Sequence, residues 1–177
     1  MRKALLIANT LIITVVMVCL YSCSKDETVA PEGSIKALKV SSDTTSGGTA
    51  TTVALTGDQI RITPSLISDT ANYIYITSET LNNYNCLNNT LMTVVNSSAS
   101  SQTVEYTGVL IPAAAYCNAG QKKATITNVL YLPTNGTYNF VVKLNGTSYT
   151  CSVVKNGNSI TFSWPYTSGV TISPLSL

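Results

Sequence analysis

The sharpest hydrophobic pattern lies in the last third of the chain. Residues 137–144, 147–155 and 159–164 alternate apolar and polar positions, the two-residue period of strands with one buried face. Asn145-Gly146 and Asn156-Gly157 separate them. Asn-Gly is the strongest short hairpin signal, because both residues tolerate the positive φ of a type I′ turn. Pairing outward from the first turn sets Val142 opposite Tyr149, Phe140 opposite Cys151 and Tyr138 opposite Val153. Pairing from the second sets Val153 opposite Ile160, Cys151 opposite Phe162 and Tyr149 opposite Trp164. Every large apolar side chain except Val141 and Val154 then shares one face. Such a sheet needs a second layer to cover it.

Earlier segments can supply that layer. Residues 49–64 read as a hairpin about Gly57-Asp58, with Leu55 opposite Ile60 and Val53 opposite Ile62. Residues 72–77 carry Tyr73 and Tyr75 on one side and Ile74 and Ile76 on the other, as a central strand would. Residues 35–40, 91–95, 103–111 and 124–132 are further strands, with a short one at 170–172. Residues 78–90 read as an Asn-rich loop, and 112–123 as a connection carrying Cys117. The whole predicts an all-β domain over residues 35–177, an antiparallel β-sandwich that is Ig-like in the loose sense. No cysteine pair brackets the tryptophan, so the architecture is predicted and not the immunoglobulin family.

The beginning of the chain has a different pattern. Arg2 and Lys3 precede an apolar run from Ala4 to Leu20, broken only by Asn9, Thr10 and Thr14. A positive head followed by an apolar middle is the layout of a secretory signal. A retained transmembrane helix would need ~20 apolar residues, and this run stops short at Tyr21-Ser22-Cys23. Leu20-Tyr21-Ser22-Cys23 resembles the lipobox of bacterial lipoproteins, with an aliphatic residue three before the cysteine and a small one just before it. That resemblance implies cleavage between Ser22 and Cys23 by signal peptidase II and lipidation of Cys23. It makes residues 1–22 the signal peptide and residues 23–34 a lipidated cysteine with a flexible tether. Ser24-Lys25-Asp26-Glu27 is similar to the export signal of Bacteroidota surface lipoproteins. The resemblance therefore implies an outer-membrane anchor facing the cell surface, the alternative being the periplasmic face.

Charge and cysteine content refine this. Without Arg2 and Lys3 the mature chain balances its basic and acidic residues, and no basic stripe offers a nucleic-acid surface. Of five cysteines, Cys19 leaves with the signal and Cys23 is lipidated. Cys86 and Cys117 sit in polar, loop-like surroundings, while Cys151 lies mid-strand. An oxidising compartment permits a Cys86–Cys117 disulfide, with three reduced thiols as the alternative. There is no histidine and no C-x-x-C spacing. Catalytic triads are thereby excluded, and no metal site and no cofactor are expected.

Acidic pairs such as Glu79 and Glu105 leave a small glycan hydrolase as a remote alternative, but the chain reads as non-enzymatic. The better lead is aromatic. Tyr84 lies among amides, with Asn83 and Asn85 beside it. A flat phenol flanked by amides suits a sugar ring by stacking and hydrogen bonding. Asp43-Thr44-Thr45 and Asp69-Thr70-Ala71 resemble the O-glycosylation acceptor pattern of Bacteroidota envelope proteins, which would make Thr44 and Thr70 the acceptors. The expected function is a lipid-anchored binding or adhesion module, with glycan as a candidate ligand. The alternative is a structural or accessory subunit docking on an outer-membrane protein complex.

Overall fold

A computed structural model describes residues 48–67 and 70–177. The lipobox with Ser22 and Cys23, the tether, the expected strand at 35–40 and Thr44 lie outside the described residues.

Ten strands and one 3-10 turn (Ala114–Tyr116) follow one another among the described residues. They are β1 (Thr51–Val53), β2 (Ile60–Ile67), β3 (Thr70–Asn85), β4 (Thr90–Ser97), β5 (Ser101–Ile111), β6 (Gln121–Tyr131), β7 (Gly136–Leu144), β8 (Thr147–Asn156), β9 (Ser159–Phe162) and β10 (Val170–Ile172). One sheet joins β5, β7, β8 and β9 in that order. Strand β4 lies along one edge of β5, and β1 and β7 share the other. The second sheet runs β10-β2-β3-β6. The fold is the all-β sandwich that the alternation predicts. Both sheets are mixed, however, because β5 pairs with β7 and β2 with β10 in parallel.

The Asn145-Gly146 hairpin has the register read from sequence, Val142 to Tyr149 and Phe140 to Cys151. Both turn residues take positive φ, 51° and 77°. The next hairpin is displaced: Asn156 pairs with Ser159, Lys155 with Ile160, and Val153 with Phe162. Gly157 takes φ 61° as the first residue of the loop, the glycine position of a II′ turn. The displacement is by two residues, so parity is kept and Ile160 and Phe162 still face inward. It also sets Lys155, on the same side as Cys151 and Val153, opposite Ile160.

The expected hairpin of residues 49–64 does not form. Asp58 N–H does reach Leu55 C=O at 2.9 Å, closing a turn. Yet β1 pairs with β5 in one sheet and β2 with β3 in the other. The turn is tucked into the core, with Leu55, Asp58 and Ile60 all buried and Val53 exposed. At Gly108, φ 154°, an added Cβ would lie 2.6 Å from the Thr52 side chain and 2.8 Å from the Val53 carbonyl. Only glycine lets β1 lie against β5 there.

The segment expected as an Asn-rich loop is instead the second half of β3. Its backbone pairs with Gln121–Lys123 of β6 after an irregularity between Glu79 and Asn83. Polar side chains do not prevent this, because Ser78 and Thr80 are buried with partners while Asn82, Asn83 and Asn85 point to solvent.

The core between the sheets holds Ile60, Ile62, Ile74, Ile76, Phe140 and Val153, each at most 1 % exposed. Two polar groups cross it. Tyr106 and Ser78 share a 2.5 Å hydrogen bond, and Gln102 Nε2 donates to the Val129 carbonyl at 3.0 Å. Paired in this way, buried polar groups cost little and fix how the layers meet.

Candidate functional site

Tyr84, Asn83 and Asn85 occupy the Asn85 end of β3. The Tyr84 ring packs against the core, and its hydroxyl donates to Asp58 Oδ2 at 2.7 Å. The other carboxylate oxygen of Asp58 accepts the backbone N–H groups of Gln59 (2.7 Å), Leu81 and Asn82 (both 3.1 Å). This buried carboxylate therefore shapes the irregular part of β3. Burial, reinforced by the Asp58 hydrogen bond and charge, pushes the Tyr84 phenol above its ordinary range. Asn83 is exposed, and Asn85 Oδ1 accepts Gln121 Nε2 at 2.9 Å. The geometry gives Tyr84 a structural task, with its hydroxyl already engaged.

Next to it, Cys86 and Cys117 form the expected disulfide across 31 residues. Cys86 adopts φ 70°. Buried Asn89 spreads its amide over the carbonyls of Tyr84, Asn85, Cys86 and Lys122, at 2.8–3.3 Å. Cys151 is free and buried, and burial pushes its thiol up to about 11. Thr70 opens β3, but its side chain lies outside what the structure describes.

Of the four exposed tyrosines among the described residues, Tyr73, Tyr75 and Tyr131 form a single surface, while Tyr116 stands apart in the 3-10 turn. On the outer face of the β10-β2-β3-β6 sheet, Tyr73 pairs with Tyr131 and Tyr75 with Val129. All four are 41–53 % exposed. The rings of Tyr73 and Tyr131 stack at 4.7 Å with their planes 25° apart. Ser65 flanks Tyr75 on β2, and Thr77 and Thr127 bridge their hydroxyls at 3.1 Å in the next row. Charge appears on this face only further along, where Lys123 meets Glu79 at 3.0 Å near Arg61. Neighbouring strands lie ~4.8 Å apart and alternate residues ~6.8 Å apart. The phenols thus cover an area on the scale of sugar rings, beside neutral hydroxyls.

Sequence reasoning assigned Tyr73 and Tyr75 to a central strand, as β3 is between β2 and β6, and gave neither them nor Tyr131 a role in binding. The usable signal was that all three occupy alternate positions with buried aliphatic neighbours, which puts them outside together. The acids do not form a catalytic pair among the described residues. Glu79 and Glu105 belong to outer faces of opposite sheets, and Asp58 is buried.

Tyr166, at the far end, joins a cluster with Trp164 and Tyr149, ring centroids 5.0–6.2 Å apart. Trp164 Nε1 donates to the Val170 carbonyl at 3.1 Å. Among the described residues no helix is long and apolar enough to cross a membrane. No family model, no curated protein and no solved structure matches this chain.

Proposed function

We propose that this protein is a lipoprotein of a Bacteroidota-like cell envelope, anchored in the outer membrane through Cys23. Its β-sandwich serves at the cell surface as a non-enzymatic binding or adhesion module for glycan. The anchor rests on the lipobox-like Leu20-Tyr21-Ser22-Cys23 and on Lys25-Asp26-Glu27 after it. One acyl chain holds a protein only marginally, whereas two or more hold it durably.

The glycan reading rests on one observation: Tyr73, Tyr75 and Tyr131 stand exposed together on a sheet face whose nearest polar groups are uncharged hydroxyls. A neutral polyol matches such a surface. Its C–H faces stack on the outer sides of the phenols, and its hydroxyls meet Ser65, Thr77 and Thr127. This assigns binding to the sheet face and leaves Tyr84 as support. Gel retardation of the protein by soluble polysaccharides tests it. Tyr73→Ala and Tyr131→Ala should abolish retardation, while Tyr84→Phe should leave it intact. Retardation that persists in the first two variants would remove the assignment. Palmitate incorporation that is lost in Cys23→Ala, together with protease shaving of intact cells, tests the anchor and the side it faces.

Exposed Val94 and Val95 on edge strand β4 favour the second reading, docking on an envelope protein. A stoichiometric partner that is released by Val94→Lys would support it.

A further inference from the structure

Lys155 closes the inward face of β8 and is 6 % exposed. Its ammonium donates to the Asn72 carboxamide oxygen and to the Leu132 carbonyl at 2.8 Å. Asn72 stands near the start of β3, in the opposite sheet. Leu132, fully buried, also donates its backbone N–H to the Asn72 carbonyl at 2.8 Å. One residue thus holds both partners, Asn72 through its backbone and Lys155 through its amine. Both hydrogen-bond acceptors of Lys155 among the described residues are neutral, and the single ion pair described is Lys123–Glu79. An ammonium taken out of water and held by neutral acceptors, as Lys155 is among the described residues, is a costly arrangement.

We propose that Lys155 and Asn72 become joined by an intramolecular isopeptide bond that ties one sheet to the other. The Lys155 amine, having given up a proton, adds through its nitrogen lone pair to Cγ of Asn72, and the new N–C bond forms. The bond from Cγ to Nδ2 breaks, and Nδ2 leaves as ammonia. The departing NH2 group becomes ammonia by taking the proton that Nζ sheds on becoming an amide, and the proton that Lys155 lost first then makes that ammonia ammonium. One ammonium and one carboxamide are consumed, and one secondary amide and one ammonium ion are formed. No oxidant, reductant or other co-reactant is needed.

Two features of the site favour the step. Holding amine and carboxamide in contact supplies an effective concentration of ~10⁵–10⁸ M when the alignment is good. The product also exchanges a buried cation for a neutral amide, while the exposed side of Asn72 opens directly to water for the departing ammonia. The bond would lie at the opposite end of β3 from the disulfide, so the two cross-links would secure both ends of the same strand.

Peptide mapping of the full chain, extracted from membranes in detergent, reduced, alkylated and digested with trypsin, decides the matter. The expected species is a branched peptide that joins residues 62–122 to residues 144–177. It is lighter than its two parts by one ammonia and uncut after Lys155. Lys155→Met and Asn72→Ala should each yield the 62–122 segment unbranched. Recovery of wild-type 62–122 as a free peptide with its Asn72 amide intact, and cleavage after Lys155, would overturn the proposal. So would a branch that survives in Asn72→Ala. The wild-type map suffices even where a variant fails to fold.

Discussion

At its Asn85 end, β3 is bound by local polar chemistry: a disulfide at Cys86, four carbonyls gathered by the Asn89 amide, and the Asp58 carboxylate beneath Leu81 and Asn82. At its Thr70 end the same strand turns over a register shift at Leu66 and Ile67, presents stacked tyrosines to solvent, and meets the opposite sheet through Lys155. Sixteen residues separate the two regimes, about 50 Å of extended chain. The stapled end keeps its aromatic ring inside and its amides outside. The other end does the reverse, with exposed phenols over a buried charge. A rigid, cross-linked end can hold the strand while its far end offers apolar surface to a ligand.

Breaking the stapled end should have the largest effect. Reducing Cys86–Cys117 removes the constraint on a 31-residue separation and should cost about 3–4 kcal/mol, read as a fall in the urea midpoint with dithiothreitol. Asp58→Ala leaves the Gln59 and Asn82 N–H groups and the Tyr84 hydroxyl without this acceptor, a loss of about 3 kcal/mol, visible as the same shift in urea. Between the two ends, Cys151 makes stability depend on alkaline pH. Its folded-state value of about 11 lies above the ordinary 9.0, so the folded state holds the thiol proton more tightly. The contribution is full below pH 9 and disappears as the pH rises through 11, about 2 kcal/mol in all. Denaturation followed against pH should show a shallower alkaline limb in Cys151→Ala. Tyr84→Phe should cost about 1 kcal/mol and leave glycan retardation unchanged. Tyr73→Ala, by contrast, should move the urea midpoint by less than ~1 kcal/mol while abolishing retardation. Retardation lost in Tyr84→Phe and kept in Tyr73→Ala would erase the distinction between the ends.

Where short-range chemistry decides, the chain was readable. Asn145-Gly146 dictates a two-residue turn, and the register of β7 and β8 follows from it. The next hairpin slipped by two because Gly157 took the first loop position, a choice that periodicity cannot detect when both registers bury the same face. Burial of Leu55, Ile60 and Ile62 was also readable, but not that the chain changes sheets between them. Alternation identifies a face and does not say which sheet owns it. The disulfide was legible from two cysteines in polar settings. The hydrogen bond from Tyr84 was not legible, because its neighbours in sequence are amides, whereas its partner in space is Asp58, 26 residues earlier. The tyrosine face joins residues 73 and 131, and only the β3–β6 register brings them together.

Among the described residues β10 is the sole neighbour of β2 on its outer side, and Leu177 exchanges backbone hydrogen bonds with Ile160. A growing polypeptide therefore cannot complete this architecture until residues 170–177 are available. Until then Ile60–Ile62 offers an open edge to any other strand nearby. Nascent copies of this protein thus depend on being kept apart, and a premature stop codon ahead of Val170 would produce a sticky fragment rather than a shortened domain.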